Sequence, residues 1–445
     1  MMKKILSFLI LIAVVTGCSA AAPNHQNPVQ NNAAQQAQQL EVGSLVQSVS
    51  TDEAPADMAT SVPPQLPESE PATATSTPSS PSQPAATATE PPVELGPDNF
   101  PPGINPLTGL PVENSAALAY SPALVSITNF PTTARPQAGL SFSPLVFEMY
   151  IGEGMTRFLA LFYGDYPQKG EDSSVTLSDD RIGPVRSGRL PYESLRKLYN
   201  GFLVMASASP NVKSSLSSFT NVWGSDTGDI NSAMIPVTKL EEIASKNPDR
   251  VNAEMLTGLK FDQTSPPGGK TANKIWIPFN YLNQVIWKYD PSSSAYLRFQ
   301  DNADGVTFIQ AIDRLNKQPL TYENVVVLFA DHAAKRETLI DINLMYIDRL
   351  PALLFRDGKM YEIFWTTANS DYEKTTGKVR PIRFIDASGN PFPLKPGQTW
   401  VEMVQMYTHY NETVNSDVYF DLKNKTSPGS GYWAIQFFPT VPERK

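Results

Sequence analysis

Seven polar residues between positions 135 and 189 are the side chains in this chain best suited to chemistry: Arg135, Glu148, Glu153, Arg157, Arg186, Ser187 and Arg189. Each borders a predicted strand or a glycine turn, the kind of place from which a rigid sheet aims loop residues at a ligand. The planar guanidinium fork holds carboxylates and phosphates through two parallel hydrogen bonds. Four arginines against two glutamates leave a positive surplus, which suits an anionic ligand such as a peptide C-terminus or a cell-wall fragment. The same residues allow a structural reading, in which Glu148 and Glu153 pair with Arg157 and Arg186 to satisfy buried charge. Ser187 has no base in view that would make it a nucleophile.

Other chemistries find less support. Ser194-Leu-Arg-Lys197 spells the Ser-x-x-Lys of penicillin-binding enzymes, Ser209-Pro-Asn211 gives a Ser-x-Asn, and Lys270-Thr-Ala272 nearly gives Lys-Thr-Gly. The second element follows the first too soon for a helical domain to intervene. Asp226, Asp229 and Asn231 lack the regular spacing and closing glutamate of a calcium loop and read as a polar Asx turn. The histidines are His25, His332 and His409 alone, and Cys18 is the only cysteine. With that one cysteine carrying lipid, disulfides, thiol nucleophiles and cysteine metal sites are excluded, and so few histidines disfavour His-based acid–base chemistry. No metal or cofactor is expected, and the balance leans against an enzyme. His332 after a buried strand reads as structural, and Trp276, Trp287, Trp365 and Trp400 fit alternating core faces.

The elements that would position the seven residues are strands over 123–130, 145–151 and 157–163, a helix over 191–200 stopped by Gly201, and a strand over 202–206. Ser209-Pro210 opens a further helix, and Thr238-Lys-Leu-Glu241 fits a capping box for a helix reaching Lys246. Beyond the loop at 264–269 the pattern turns to β: alternation at Ile275, Ile277 and Phe279 and at Val285, Trp287 and Tyr289, an apolar run over 325–329, and a hairpin about Asp357-Gly358. Strands follow over 383–385, 400–404 and 431–438. The predicted fold class is α+β, with an N-terminal α/β domain over 103–250, a linker over 251–273, a mainly antiparallel β domain over 274–406, and an extension over 407–445 carrying one more strand.

Ahead of these elements, two lysines, an apolar run over 5–15 and Val15-Thr-Gly-Cys18 make a lipoprotein signal over 1–17 with a lipid-bearing Cys18. The run is short of the roughly 20 residues a spanning helix needs. Residues 18–102 are rich in Pro, Ala, Ser, Thr and Gln and read as a disordered tether. No Lys or Arg occurs between Lys4 and Arg135, whereas ten Asp and Glu do, so most of the formal net charge of −9 belongs to the front. The body is near neutral and lacks the basic footprint of a nucleic-acid binder.

Several segments carry a family resemblance: Asn105-Pro-Leu-Thr-Gly-Leu-Pro111, Ala134-Arg-Pro-Gln-Ala-Gly-Leu140, Glu153-Gly-Met-Thr-Arg-Phe158, Ile182-Gly-Pro-Val-Arg-Ser187, Leu354-Phe-Arg-Asp-Gly-Lys359 and Leu394-Lys-Pro-Gly-Gln-Thr-Trp400. Through them the chain resembles the YerB-like lipoproteins of bacteria. The resemblance implies an anchored protein of two domains and supplies no activity. It also implies histidines in the segments that here read Val204-Met-Ala-Ser-Ala-Ser-Pro210 and Asp229 to Val237, where this chain has none. The expectation is a lipid-anchored, extracytoplasmic protein that binds an anionic ligand or partner at the cell envelope, with cell-wall material or another envelope protein as its counterpart. The rivals are a cell-wall-modifying enzyme using the Arg/Glu cluster and a scaffold that holds another protein through its β domain.

Overall fold

Burial is unbroken along β1 (Ala123–Thr128) and β2 (Leu145–Gly152), and nearly so along β3 (Met155–Phe162). Unbroken burial means that both faces of these strands are covered. Successive residues of β2 accordingly enter two different cores: Val146 and Tyr150 on one side, Leu145, Phe147, Met149 and Ile151 on the other. Glu148 has the parity of the first set, so the pleat alone points its carboxyl into a core. The structure, a computed structural model, describes residues 95–167, 180–226, 228–229, 231–247, 251, 253–414 and 426–439. The signal over 1–17, Cys18 and the tether as far as residue 94 lie outside the described residues.

In the first half β2, β3 and β1 pair antiparallel in that spatial order. Helix α1 (Pro191–Leu198) follows, burying Tyr192, Leu195 and Leu198 against the second core, and then come β4 (Phe202–Met205) and the one-turn α2 (Pro210–Lys213). β4 runs parallel to β1, and β5 (Phe219–Asn221) runs parallel to β4. Helix α3 (Val237–Lys246) starts at Val237 behind Pro236 with no side-chain cap, so the capping box expected at Thr238 does not form.

The second half supplies β6 (Lys274–Asn280), β7 (Asn283–Asp290), β8 (Ala295–Asp301), β9 (Asn324–Ala330), β10 (Leu350–Arg356) and β11 (Lys359–Thr366). After α4 (Asp371–Thr376) come β12 (Thr399–Gln405), β13 (His409–Glu412) and β14 (Tyr432–Gln436). The β10–β11 hairpin turns through Asp357 and Gly358, both at positive φ, as a two-residue Asp-Gly loop requires.

β12 joins the halves. It lies between β9 and β2 and is parallel to both, in a register that sets Glu402 against Glu148. One mixed eleven-stranded sheet therefore runs through residues of both halves, and β6, β7, β8, β13 and β14 belong to a second sheet of seven strands. The two sheets enclose one core, to which Val125, Val146, Phe158, Val325 and Trp400 contribute from the first and Ile277, Val285, Trp287 and Ile435 from the second. The molecule is mostly β with few helices. The second half holds the parallel pairs β9–β12 and β6–β14 beside its hairpins. Continuous apolar runs such as 325–329 look the same whether their partner is parallel or antiparallel, which is why the pattern suggested antiparallel pairing.

Residues 95–102, assigned by composition to the tether, lie on the body. Leu95 exchanges backbone hydrogen bonds with Phe261, Phe100 meets the Phe261 ring edge-on at 6.2 Å, and Asp98 pairs with Arg380 at 2.7 Å. Among the described residues no helix is long and apolar enough to cross a membrane.

Candidate functional site

The pleat divides the seven residues singled out in the sequence. Arg135 and Glu148 belong to the core between the sheets. Arg157, Arg186, Ser187 and Arg189 gather on the other side of β3, near α1 and the loop after β4. Glu153 is exposed at φ 52° in the turn between β2 and β3 and joins neither group.

Between the sheets, Glu148 pairs with a residue that the sequence did not single out. Arg298 of β8 donates from Nη2 to Glu148 Oε2 at 2.9 Å, and both side chains are 1% exposed. The second arm of the guanidinium donates to Gln300 at 2.8 Å. Its face lies 4.8 Å from the Trp400 ring centre, 5.2 Å from Phe158 and 5.8 Å from Trp287. Thr156 donates to Glu148 Oε1 at 2.7 Å, and Trp287 Nε1 donates to Glu402 Oε1 at 2.9 Å. Burial, and then the neighbouring Glu148, push the Glu402 carboxyl well above the usual carboxylate range. Glu402 Oε2 meets no donor among the described residues. Protonation of Glu402 removes the clash that two facing buried carboxylates would otherwise have. Arg135 extends this node, donating to the backbone oxygens of Asp301 at 2.6 Å and Asn129 at 3.1 Å. Burial lowers its pKa to about 10. The signal for Glu402 was visible in the sequence, a lone acid inside the apolar run over 400–404. Arg298 carried a weaker one, its alternation with Tyr296 and Gln300.

The second group has no such partner. Arg157 is 7% exposed, and its Nη1 donates to the Ser187 carbonyl at 3.2 Å. Among the described residues its Nε is buried with no hydrogen-bond partner, and so is Nε of Arg189, whose Nη1 reaches the Thr338 carbonyl at 3.1 Å. Arg186 donates to Asn231 Oδ1 at 3.1 Å. Burial, reinforced by the positive fields of Arg189 and Arg186, lowers the Arg157 pKa to about 10. Among the described residues no carboxylate lies within ion-pair distance of these three arginines; Asp229 acts on Arg186 only at longer range. The Ser187 hydroxyl donates to the Ala206 carbonyl at 3.2 Å.

The backbone holds this group tightly. The N–H of Gly188 donates to the Ser207 carbonyl, and a Cβ at Gly188 would stand 2.5 Å from Met205 Sδ and 2.7 Å from Leu216 Cδ1, so a larger residue there would have to displace those two side chains. Ser207 takes the left-handed conformation at φ 57°, with its N–H bonded to Asn221 Oδ1. A non-glycine residue held there costs of order 1–3 kcal/mol. The two segments where the resemblance implies histidines, around Met205 and over 229–237, both border this group, through Ser207 and Asn231.

The remaining candidates resolve into local structure. Lys197 pairs with Glu193 and Lys270 with Glu362. Asp226 and Asp229 accept from the backbone of Gly228 and Asn231, closing Asx turns. His332 is buried, its Nδ1 donating to the Ala330 carbonyl, and burial lowers its pKa to about 4. Cavities of about 350 and 540 Å3 lie about Asp98, Ser370 and Arg380. There Glu373 bridges Arg380 and Arg383 at 3.0 Å each and Asp98 pairs with Arg380 at 2.7 Å, so that two cations meet two carboxylates. Among the described residues no three His, Cys, Asp or Glu side chains gather as a metal site.

Residues 107–241 match the N-terminal domain, and residues 275–401 the C-terminal domain, of the family described as a protein of unknown function (DUF3048). The chain belongs to that family. It is 26% identical over 316 residues to the YerB protein of Bacillus subtilis (strain 168), covering 67% of this chain and 85% of that one. The crystal structure of YerB from Bacillus subtilis shares the fold, with a TM-score of 0.51 at 22% identity over 68% of this chain and 96% of the other. Residues 2–19 match the prokaryotic membrane lipoprotein lipid attachment site. The protein is a lipid-anchored, extracytoplasmic envelope protein.

Proposed function

We propose that this envelope protein, carrying its lipid on Cys18, binds an anionic ligand through Arg157, Arg186 and Arg189. One observation carries the reading: Arg186 and Arg189 both raise the positive field at the buried Arg157, and among the described residues no carboxylate lies within ion-pair distance of the three, while Nε of Arg157 and of Arg189 meets no acceptor. A buried donor without an acceptor costs about 1–3 kcal/mol, more when charged. A carboxylate or phosphate placed among the three would supply the missing acceptors and offset their repulsion. The polar backbone frame about Ser187, Gly188 and Ser207 fixes the arginines in advance, which reduces the ordering cost of binding.

The test is titration of the full-length lipoprotein in detergent with inorganic phosphate and with cell-wall extract. The native protein is expected to bind both, and Arg186→Ala or Arg189→Ala to weaken both at least tenfold. Native-like binding by both variants, or no binding by the native protein, overturns the reading and leaves the arginines as structural.

A further inference from the structure

Beyond the second group of arginines the chain carries a tryptophan that no packing explains. Trp223 is 69% exposed, while Trp276, Trp287, Trp365, Trp400 and Trp433 are all buried. It has no ring or cation stacked on it among the described residues. Hydrogen bonds place it beside the arginines. Ala206 N–H donates to the Arg186 carbonyl, Val222 N–H donates to the Met205 carbonyl, and Trp223 follows directly. The loop then folds back: a Cβ at Gly224 would stand 2.1 Å from Ser232 Oγ, and Asn231, next to Ser232, accepts from Arg186. Trp223 and Arg186 are thus borne by adjoining segments of one loop cluster.

Resting on the anion-binding reading above, we propose that the ligand is an acidic saccharide, with a sugar ring stacked on Trp223 and its carboxylate held by Arg186, Arg189 and Arg157. A pyranose ring offers a flat C–H face that suits an indole, and hydroxyls around its edge. The surroundings match such a ligand better than an acidic peptide. The segments bonded around Arg186 carry the half-buried polar side chains Ser187, Ser207, Asn221, Asn231 and Ser232, and the residues following Trp223 are the small or polar Gly224, Ser225 and Asp226. A peptide or protein partner usually wants a wider apolar centre, several anchors within about 800 Å2 per side. One indole amid amides and hydroxyls is instead the arrangement of a small polar site with a single apolar wall. Asp226 and Asp229 turn their carboxylates to backbone N–H groups of their own loop, which limits their opposition to an anion.

The experiment compares the full-length native protein, Trp223→Ala, Trp223→Phe and Arg186→Ala by calorimetric titration. The probes are a tetrasaccharide of alternating N-acetylglucosamine and glucuronate, the same sugar with its carboxylates reduced to alcohols, a tetraglutamate peptide, and inorganic phosphate. Expected is tenfold or greater loss for the acidic sugar in Trp223→Ala, recovery in Trp223→Phe, and phosphate affinity within twofold of native in both. Arg186→Ala should lose both ligands, and the reduced sugar should bind at least tenfold more weakly than the acidic one. Native-like sugar affinity in Trp223→Ala overturns the saccharide and leaves the anion site standing. Tetraglutamate binding as tight as the sugar, with the same loss in Trp223→Ala, overturns it in favour of an acidic peptide. Absence of phosphate and sugar binding in the native protein overturns the anion site itself.

Discussion

Two groups of arginines sit on opposite sides of one strand and live by different rules. Arg298 reaches β2 from the inner side with a carboxylate on one arm, an amide on the other and three aromatic rings about its face. Among the described residues, Arg157, Arg186 and Arg189 occupy the outer side with carbonyl and amide hydrogen bonds and no carboxylate within ion-pair distance. Taking a charge out of water is expensive, and the inner site offsets that cost with an opposite charge on one arm of Arg298 and an amide on the other, although among the described residues Nε of Arg298 is itself buried without an acceptor. The outer site leaves part of it outstanding. A buried arginine that is paired belongs to the architecture, and one left unpaired near a surface marks a place for something else.

The largest effect should come from breaking the inner site. Arg298→Ala leaves Glu148 buried without its cation and should cost about 3–5 kcal/mol in urea unfolding. Adding Glu148→Gln should return much of that loss, because the stranded charge is gone. A loss under about 1 kcal/mol for Arg298→Ala would erase the distinction between the two groups.

Titration sharpens the same contrast. The Glu402 carboxyl is raised, by burial first, so the folded protein binds a proton that the unfolded chain releases above about 4.5. Its contribution to stability is complete below that pH and declines as pH rises toward the folded value. Glu402→Gln keeps an acceptor for Trp287 and carries no charge, and should flatten the alkaline slope of a melting-temperature profile. An unchanged slope would show that Glu402 is ionised in the fold. His332 acts on the acid side with the opposite sign: its pKa, lowered by burial to about 4, makes stability fall as pH drops from 6.5 toward 4.

Legibility followed the range of the interactions. The strands around Val125, Phe147 and Leu159 could be read because apolar runs and their glycine turns are local, and the Asp357-Gly358 hairpin because two residues specify it. The union of the halves could not, since the pairing of Thr399 with Leu145 depends on partners some 250 residues apart, and no period in either strand encodes it. The arginines were recognised as a set, yet a set read along the chain does not say which side of a sheet each member faces. Parity did say it for Glu148, which shares the phase of Val146 and Tyr150. Arg298 was hidden because it is the partner from another strand. Trp223 was passed over because an exposed aromatic looks like any other until its neighbours are known.

A smaller effect tests the boundary of the body. A chain beginning at Gly103 loses Leu95 from its exchange with Phe261, the Phe100 ring contact and the Asp98–Arg380 pair. Phe100 is only half-buried, so the loss should be about 1–2 kcal/mol on the area scale. A chain beginning at Leu95 should melt with the one beginning at Ser19. Equal melting of all three would return residues 95–102 to the tether.

The smallest effect on stability should fall on the outer group, and it is the most telling. Among the described residues Arg186 makes one side-chain hydrogen bond, to Asn231, and it stands between the fields of the buried Arg157 and the more distant Asp229. Arg186→Ala gives up that single bond and removes a like charge, two small terms of opposite sign, so unfolding without ligand should shift by no more than about 0.5 kcal/mol. Phosphate separates the cases. A ligand that binds only the folded state stabilises it by about 2.7 kcal/mol at a hundred times its dissociation constant. The native protein should therefore melt higher as phosphate is added, and Arg186→Ala should not respond. Arg298→Ala, measured against its own lower baseline, should keep the response, because its defect lies on the other side of the sheet. If Arg186→Ala instead loses 2 kcal/mol or more and still responds to phosphate, Arg186 belongs with Arg298, and the unmatched arginines are architecture after all.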